Sequence, residues 1–87
     1  VRRVNMMALS QAQAMVAKGD AQLQEERLDE ALKSFESAAE AARKADSPLI
    51  LAQTFNRLGY VQAAMHKNGE AEKSFGEALA NARAVGD

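Results

Sequence analysis

Slid against itself by 40 residues, the 87-residue chain lays Ala12–Asp46 over Ala52–Gly86, and 12 of the 35 aligned pairs are identical. Ordinary composition gives roughly a third of that number by chance. The densest stretch sets Glu30-Ala-Leu-Lys-Ser-Phe-Glu-Ser-Ala-Ala against Glu70-Ala-Glu-Lys-Ser-Phe-Gly-Glu-Ala-Leu. A duplication of this length restricts the fold: each copy is one supersecondary unit that cannot bury its apolar face alone and stacks on its neighbour.

Composition says what the unit is made of. Nineteen residues are Ala, seven are β-branched, and the one proline is Pro48. Ala is the best helix former and β-branched residues are what strands prefer, so the fold class is all-α. Apolar residues at Leu28, Ala31, Leu32, Phe35, Ala38, Ala39 and Ala42 form one helical stripe. Ala71, Phe75, Ala78, Leu79, Ala82 and Val85 repeat it, and Leu51, Ala52, Phe55, Leu58, Gly59 and Met65 form another. Ahead of Ala12, Val4, Met7 and Ala8 lead into Met15 and Gly19, which starts the first helix near Val4. Four helices are expected, at about 4–24, 28–45, 48–66 and 70–85, making two antiparallel hairpins in one domain over 1–87. Phe35, Phe55, Phe75, Leu32, Leu58 and Leu79 are the expected core.

Punctuation supports two of the three connections. Ser47-Pro48 reads as an N-cap followed by proline at the first helical position, where its missing N–H costs nothing. Asn68-Gly69 reads as a turn between the last two helices. Gln24–Leu28 holds no Gly, Pro or strong cap. The residues there allow a turn, which the match with the second copy demands, or a continuous helix that leaves the hairpin open or exchanged between chains. Gly19 and Gly59 stand inside helices at the same register, where Gly costs about 1 kcal/mol relative to Ala, so close helix contact is inferred at both.

These residues resemble tetratricopeptide repeats. The family's pattern has Leu-Gly in the first helix of each repeat and, later, Ala with an aromatic four residues on. The second copy has Phe55, Leu58-Gly59, Ala71, Phe75, Ala78 and Leu79; the first has Met15, Lys18-Gly19, Leu28, Ala31, Phe35 and Ala38. Both Gly-to-Ala intervals are twelve, as in the family. The likeness covers about 12–45, with a helical extension over 4–11, and about 52–85. Gln22 and Gln62 replace an aromatic, and Arg43 and Arg83 replace a closing proline. The period of 40 exceeds the usual 34 or so, with extra residues around Ala45–Gln53, and resembles the longer repeats of the kinesin-light-chain type.

The resemblance implies a scaffold for protein–protein contact, without enzymatic activity. In the family the first helix of each repeat lines a groove that holds partner peptides. Carried over by the Gly register, that face holds Gln13, Val16, Asp20 and Leu23 in the first repeat and Gln53, Asn56, Tyr60 and Ala63 in the second. Tyr60 is the best anchor, an amphipathic ring with few rotamers, or else it packs on the neighbouring hairpin. Val16 and Asp20 occupy positions where a clamp for acidic C-terminal peptides needs basic or amide groups, so that clamp is not expected.

Catalytic chemistry finds no support. There is no cysteine, and His66 is the sole histidine, so neither a metal site nor a Cys–His pair can be assembled in one chain. His66 reads as a C-terminal cap or dipole partner of the third helix. Glu25, Glu26, Asp29 and Glu30 read as a solvated helix start, with Asp29 and Lys33 paired at i, i+4. Gly19-Asp20 lacks the features of a phosphate loop, and Met6, Met7, Met15 and Met65 read as fillers of core gaps. No cofactor or metal is implied.

Charge bounds the partners. Residues 1–44 carry seven charges of each sign, the remainder four positive and five negative, for a net −1. Arg2-Arg3 is too small a basic cluster, so neither nucleic acid nor membrane is expected as partner. No apolar run approaches the roughly 18 residues of a membrane span. A cytoplasmic setting is the expectation, with the periplasm or another compartment left open; the start at Val1 also leaves a removed leader or a trimmed chain open. Two repeats are fewer than the three or so a solenoid usually needs. An apolar patch with parts of Leu58, Gln62, Met65, Leu79, Ala82 and Val85 is therefore expected at the far end of the stack. It points to a homo-oligomer. The alternatives to a partner-binding scaffold are a self-assembling helical bundle and a piece of a longer repeat protein.

Overall fold

A computed structural model describes residues 5–86 as four α-helices, α1 (Met6–Gln24), α2 (Leu28–Lys44), α3 (Pro48–Ala64) and α4 (Asn68–Gly86). The expectation that α1 begins near Val4 falls outside the described residues. Consecutive helices are antiparallel neighbours: α1 packs along α2, α3 along α4, and α2 meets α3 across the junction. The result is two stacked hairpins.

Caps start the first and third helices. Asn5 Oδ1 accepts from the Ala8 N–H at 3.1 Å, and Ser47 Oγ accepts from the Ile50 N–H at 3.3 Å, one residue before the proline that opens α3. The connections are three copies of one turn. Glu26, Asp46 and His66 take left-handed φ values of 60°, 53° and 63°. In each, the following N–H reaches back to the fifth carbonyl before it: Arg27 to Gln22 at 2.9 Å, Ser47 to Ala42 at 3.1 Å, Lys67 to Gln62 at 2.8 Å. The left-handed residue itself donates to Leu23, Arg43 or Ala63. This is the Schellman arrangement, which satisfies the last carbonyls of a helix. It settles the connection between Gln24 and Leu28: helix one does not run on into helix two. Asn68-Gly69, expected as the turn, instead forms the first residues of α4, and Gly69 has no positive φ. The stop is one turn earlier, at His66.

A non-glycine residue in the left-handed region carries a backbone cost of about 1–2 kcal/mol. Glu26 and His66 are exposed, and among the described residues the His66 side chain forms no hydrogen bond or ion pair. Glu26→Gly and His66→Gly are each expected to stabilise the chain by about 0.5–1 kcal/mol. Chemical denaturation reads this directly, and a lowered midpoint would contradict the turn geometry.

The core is one continuous cluster built around Phe35, with Ala31, Ala39, Phe55, Leu58, Val61 and Ala78, flanked by Leu23, Leu28, Leu32, Leu51 and Met65. A smaller cluster of Ala12, Ala41, Ala42 and Ile50 closes the other end of the junction. Phe35, Phe55 and Leu58 are in the core as expected, and Leu32 is half-buried against it. Phe75 and Leu79 are not: they are 44% and 53% exposed. Their counterparts Phe35 and Ala39 are covered by α3, whereas no described helix lies over α4 in the same place. Met6 and Met7 also depart from expectation and are exposed, because they lie off the face of α1 that buries Ala8, Ala12 and Gly19. Met15 and Met65 are half-buried.

Each hairpin contains a polar bridge at matched positions. Ser34 Oγ donates to Gln22 Oε1 at 2.6 Å, and Ser74 Oγ lies 2.6 Å from the Gln62 amide. Oriented to satisfy its surroundings, the Gln62 nitrogen also donates to the carbonyls of Leu58 and Glu70. The glutamines that replace a family aromatic thus tie the two helices of a hairpin together by hydrogen bonds. The Thr54 hydroxyl, by contrast, is fully buried with no hydrogen-bond partner among the described residues. Thr54→Val keeps the shape and removes an unsatisfied group, so thermal melting is expected to show a gain of about 1 kcal/mol. A loss would mean that the hydroxyl has a partner.

Candidate functional site

The two first helices, α1 and α3, approach each other at only a few points and leave a cleft between their N-terminal halves. Leu9, Gln13 and Val16 form one wall; Ser47, Leu49, Ile50 and Gln53 form the other. Its volume is about 430 Å³, within the range of sites that hold small ligands or a few residues of peptide. The local folding reason is the register of α3. Pro48 and the Ser47 cap start the helix so that Ile50 turns into the junction while Leu49 stays 53% exposed at the rim.

One turn beyond the cleft, Arg57 of α3 crosses to α1. Its Nε donates to Asp20 Oδ1 at 2.7 Å, and its Nη1 donates to the Gln53 carbonyl at 3.1 Å. Both side chains are partly buried, and the pair joins the two hairpins. On the opposite side of the junction the Arg43 guanidinium lies 5.4 Å from the centre of the Phe55 ring, a cation–π contact.

Of the expected groove residues, Gln13, Gln53, Asn56, Tyr60 and Ala63 are exposed, and Val16, Asp20 and Leu23 are half-buried. Only Gln13, Val16 and Gln53 line the cleft. Asp20 is committed to Arg57. Tyr60 is 61% exposed. Leu9, Leu49, Ile50 and Arg57 were missed. Leu49 stands off the stripe Leu51–Ala52–Phe55–Leu58, which signalled that it faces elsewhere; Arg57, three residues before Tyr60, shares its side of the helix.

The expected end patch needs correction. Leu58 and Gln62 are buried, because they face α2 and α4 within the stack. Met65 is half-buried, while Leu79, Ala82 and Val85 are exposed. The surface at that end also includes Phe75.

Glu25 and Glu30 both meet Arg27, whose Nη1–Glu25 and Nε–Glu30 distances are 3.2 and 3.1 Å. The hydrogen bond to Glu30, then that to Glu25, raises the Arg27 pKa above its ordinary value. This exposed trio replaces the expected Asp29–Lys33 pair and is a solvated surface network. Among the described residues no group of three His, Cys, Asp or Glu side chains is placed to hold a metal ion. No described helix is long and apolar enough to cross a membrane.

A sequence profile of the tetratricopeptide repeat family matches residues 10–84, spanning all four helices. The chain belongs to the tetratricopeptide repeat family. Repeats of this family are typically non-catalytic scaffolds for contact between proteins. The longer period of this member is taken up in helix rather than loop, since every connection is three residues long. No curated protein and no solved structure matches the chain.

Proposed function

We propose that this tetratricopeptide repeat chain holds a segment of another protein against the shared face of α1 and α3. The observation that carries the reading is the open cleft between those helices, with hydrocarbon walls and Leu49 half uncovered at its rim. The surrounding positions, Gln13, Gln53, Asn56, Tyr60 and Ala63, are exposed and not needed by the core. With a partner purified by capture on the chain, Val16→Arg and Asn56→Arg are each expected to weaken binding by about tenfold or more, as buried charges at an interface do. Lys33→Glu, on α2, is the control and leaves binding unchanged. Binding that survives both groove substitutions and is lost with Lys33→Glu would refute the assignment.

A second reading has its own support. Phe75, Leu79 and Val85 leave a large part of their apolar surface in water at one end of the stack. Surface of this kind favours association, here of two copies of the chain. Sedimentation across the micromolar range is expected to show dimers or larger species that Leu79→Glu disperses. A monomer throughout that range would exclude self-association.

A further inference from the structure

The charge pattern of the cleft limits what enters it. None of its lining residues is ionisable. One turn beyond it, Asp20 and Arg57 neutralise each other at 2.7 Å, and Arg57 is further held by the Gln53 carbonyl. The Ser47 hydroxyl is occupied by the Ile50 N–H. What remains free are the side-chain amides of Gln13 and Gln53, which form no hydrogen bond within the described chain. They occupy the same position in the two repeats, one on each wall.

A glutamine amide offers two donor hydrogens and a carbonyl acceptor, the same groups as a peptide bond. Two of them facing across hydrocarbon walls suit an extended backbone whose side chain drops between Leu9, Val16 and Leu49. A carboxylate or ammonium group placed there loses its hydration and meets no opposite charge among the lining residues, which is strongly unfavourable. From this we infer that the occupant of the cleft is an uncharged, extended segment of a partner protein, anchored by an aliphatic side chain and held through its backbone by Gln13 and Gln53. The inference rests on the groove reading above and adds the chemistry of the bound segment.

A phage-displayed library of random linear peptides, panned on the immobilised chain, provides the probe. Selected peptides are expected to be uncharged and aliphatic at their central positions. Synthetic copies of them should bind with an affinity that changes by less than about twofold between low and high salt, since no ion pair is screened. Placing Asp or Lys at the central position should weaken binding by about tenfold or more. Leu49→Asp should do the same to the protein; this exposed second position of α3 accepts an acidic residue without harm to the helix. Gln13→Ala and Gln53→Ala, which remove hydrogen bonds and leave the walls intact, should each weaken binding by about two- to tenfold.

Selection of acidic or basic peptides, or steep loss of binding with salt, overturns the inference. If those peptides are still lost with Leu49→Asp, the groove reading stands and only the chemistry falls. Peptides indifferent to Leu49→Asp and lost with Leu79→Glu at the end surface refute both. A selection that enriches nothing dependent on Leu49 also refutes the inference.

Discussion

Phe35→Ala is expected to remove most of the protein's stability. Phe35 is fully buried at the meeting of α1, α2 and α3, and emptying such a site costs about 3–5 kcal/mol. A chain of this size has about 5 kcal/mol in total, so at most about 2 kcal/mol is left and the variant stands at the edge of its unfolding transition. Phe75→Ala is the built-in control. It removes the same ring from the same place in the second repeat, where it is 44% exposed, and should cost about 1 kcal/mol. Helical circular dichroism against denaturant compares the two. Equal losses would mean that something covers Phe75 as α3 covers Phe35.

The second large effect concerns the glycines, and it too differs between repeats. A Cβ built on Gly19 lies 2.5 Å from Phe35 Cε1, and one on Gly59 lies 2.6 Å from Phe75 Cε1. Both distances are impossible without movement. The Phe35 ring is enclosed and cannot move, so Gly19→Ala overpacks the core by about 1–3 kcal/mol, more than the roughly 1 kcal/mol gained in helix propensity. The Phe75 ring has open space on one side, so Gly59→Ala is expected to be close to neutral. A thermal melt in which Gly19→Ala is stabilising would show that the hairpin is looser than its geometry.

This asymmetry marks where sequence reasoning works and where it stops. The 40-residue match, the helical stripes and the Ser47-Pro48 cap are local signals, and they located four helices to within two residues wherever both ends are described. The Gly19 and Gly59 contacts were legible because helix propensity disfavours glycine twice at one register. The exposure of Phe75 and Leu79 was not, because a repeat's outer face is buried by its neighbour and the residue itself is the same in either state. The turn at Glu26 was hidden for a different reason. Backbone hydrogen bonds from Glu26 and Arg27 stabilise the left-handed residue, so no glycine is needed to announce it.

The candidate site was only half legible. Family register pointed to α1 and α3, and it found Gln13, Val16 and Gln53. The cleft itself arises from how α1 and α3 diverge across the junction, a long-range geometry that no single helix encodes. Leu9 and Leu49 become walls only through it. The Asp20–Arg57 pair, 37 residues apart in sequence, likewise depends on the stacking of the hairpins.

Backbone amide shifts of the isotopically labelled chain, recorded with and without its captured partner, test the central claim most directly. Changes are expected to concentrate on Leu9–Asp20 of α1 and Leu49–Tyr60 of α3, leaving the outer surface of α2 near its free values. Changes confined to α2 and α4, with the Gln13 and Gln53 amides unmoved, would contradict the assignment of the groove as the binding face.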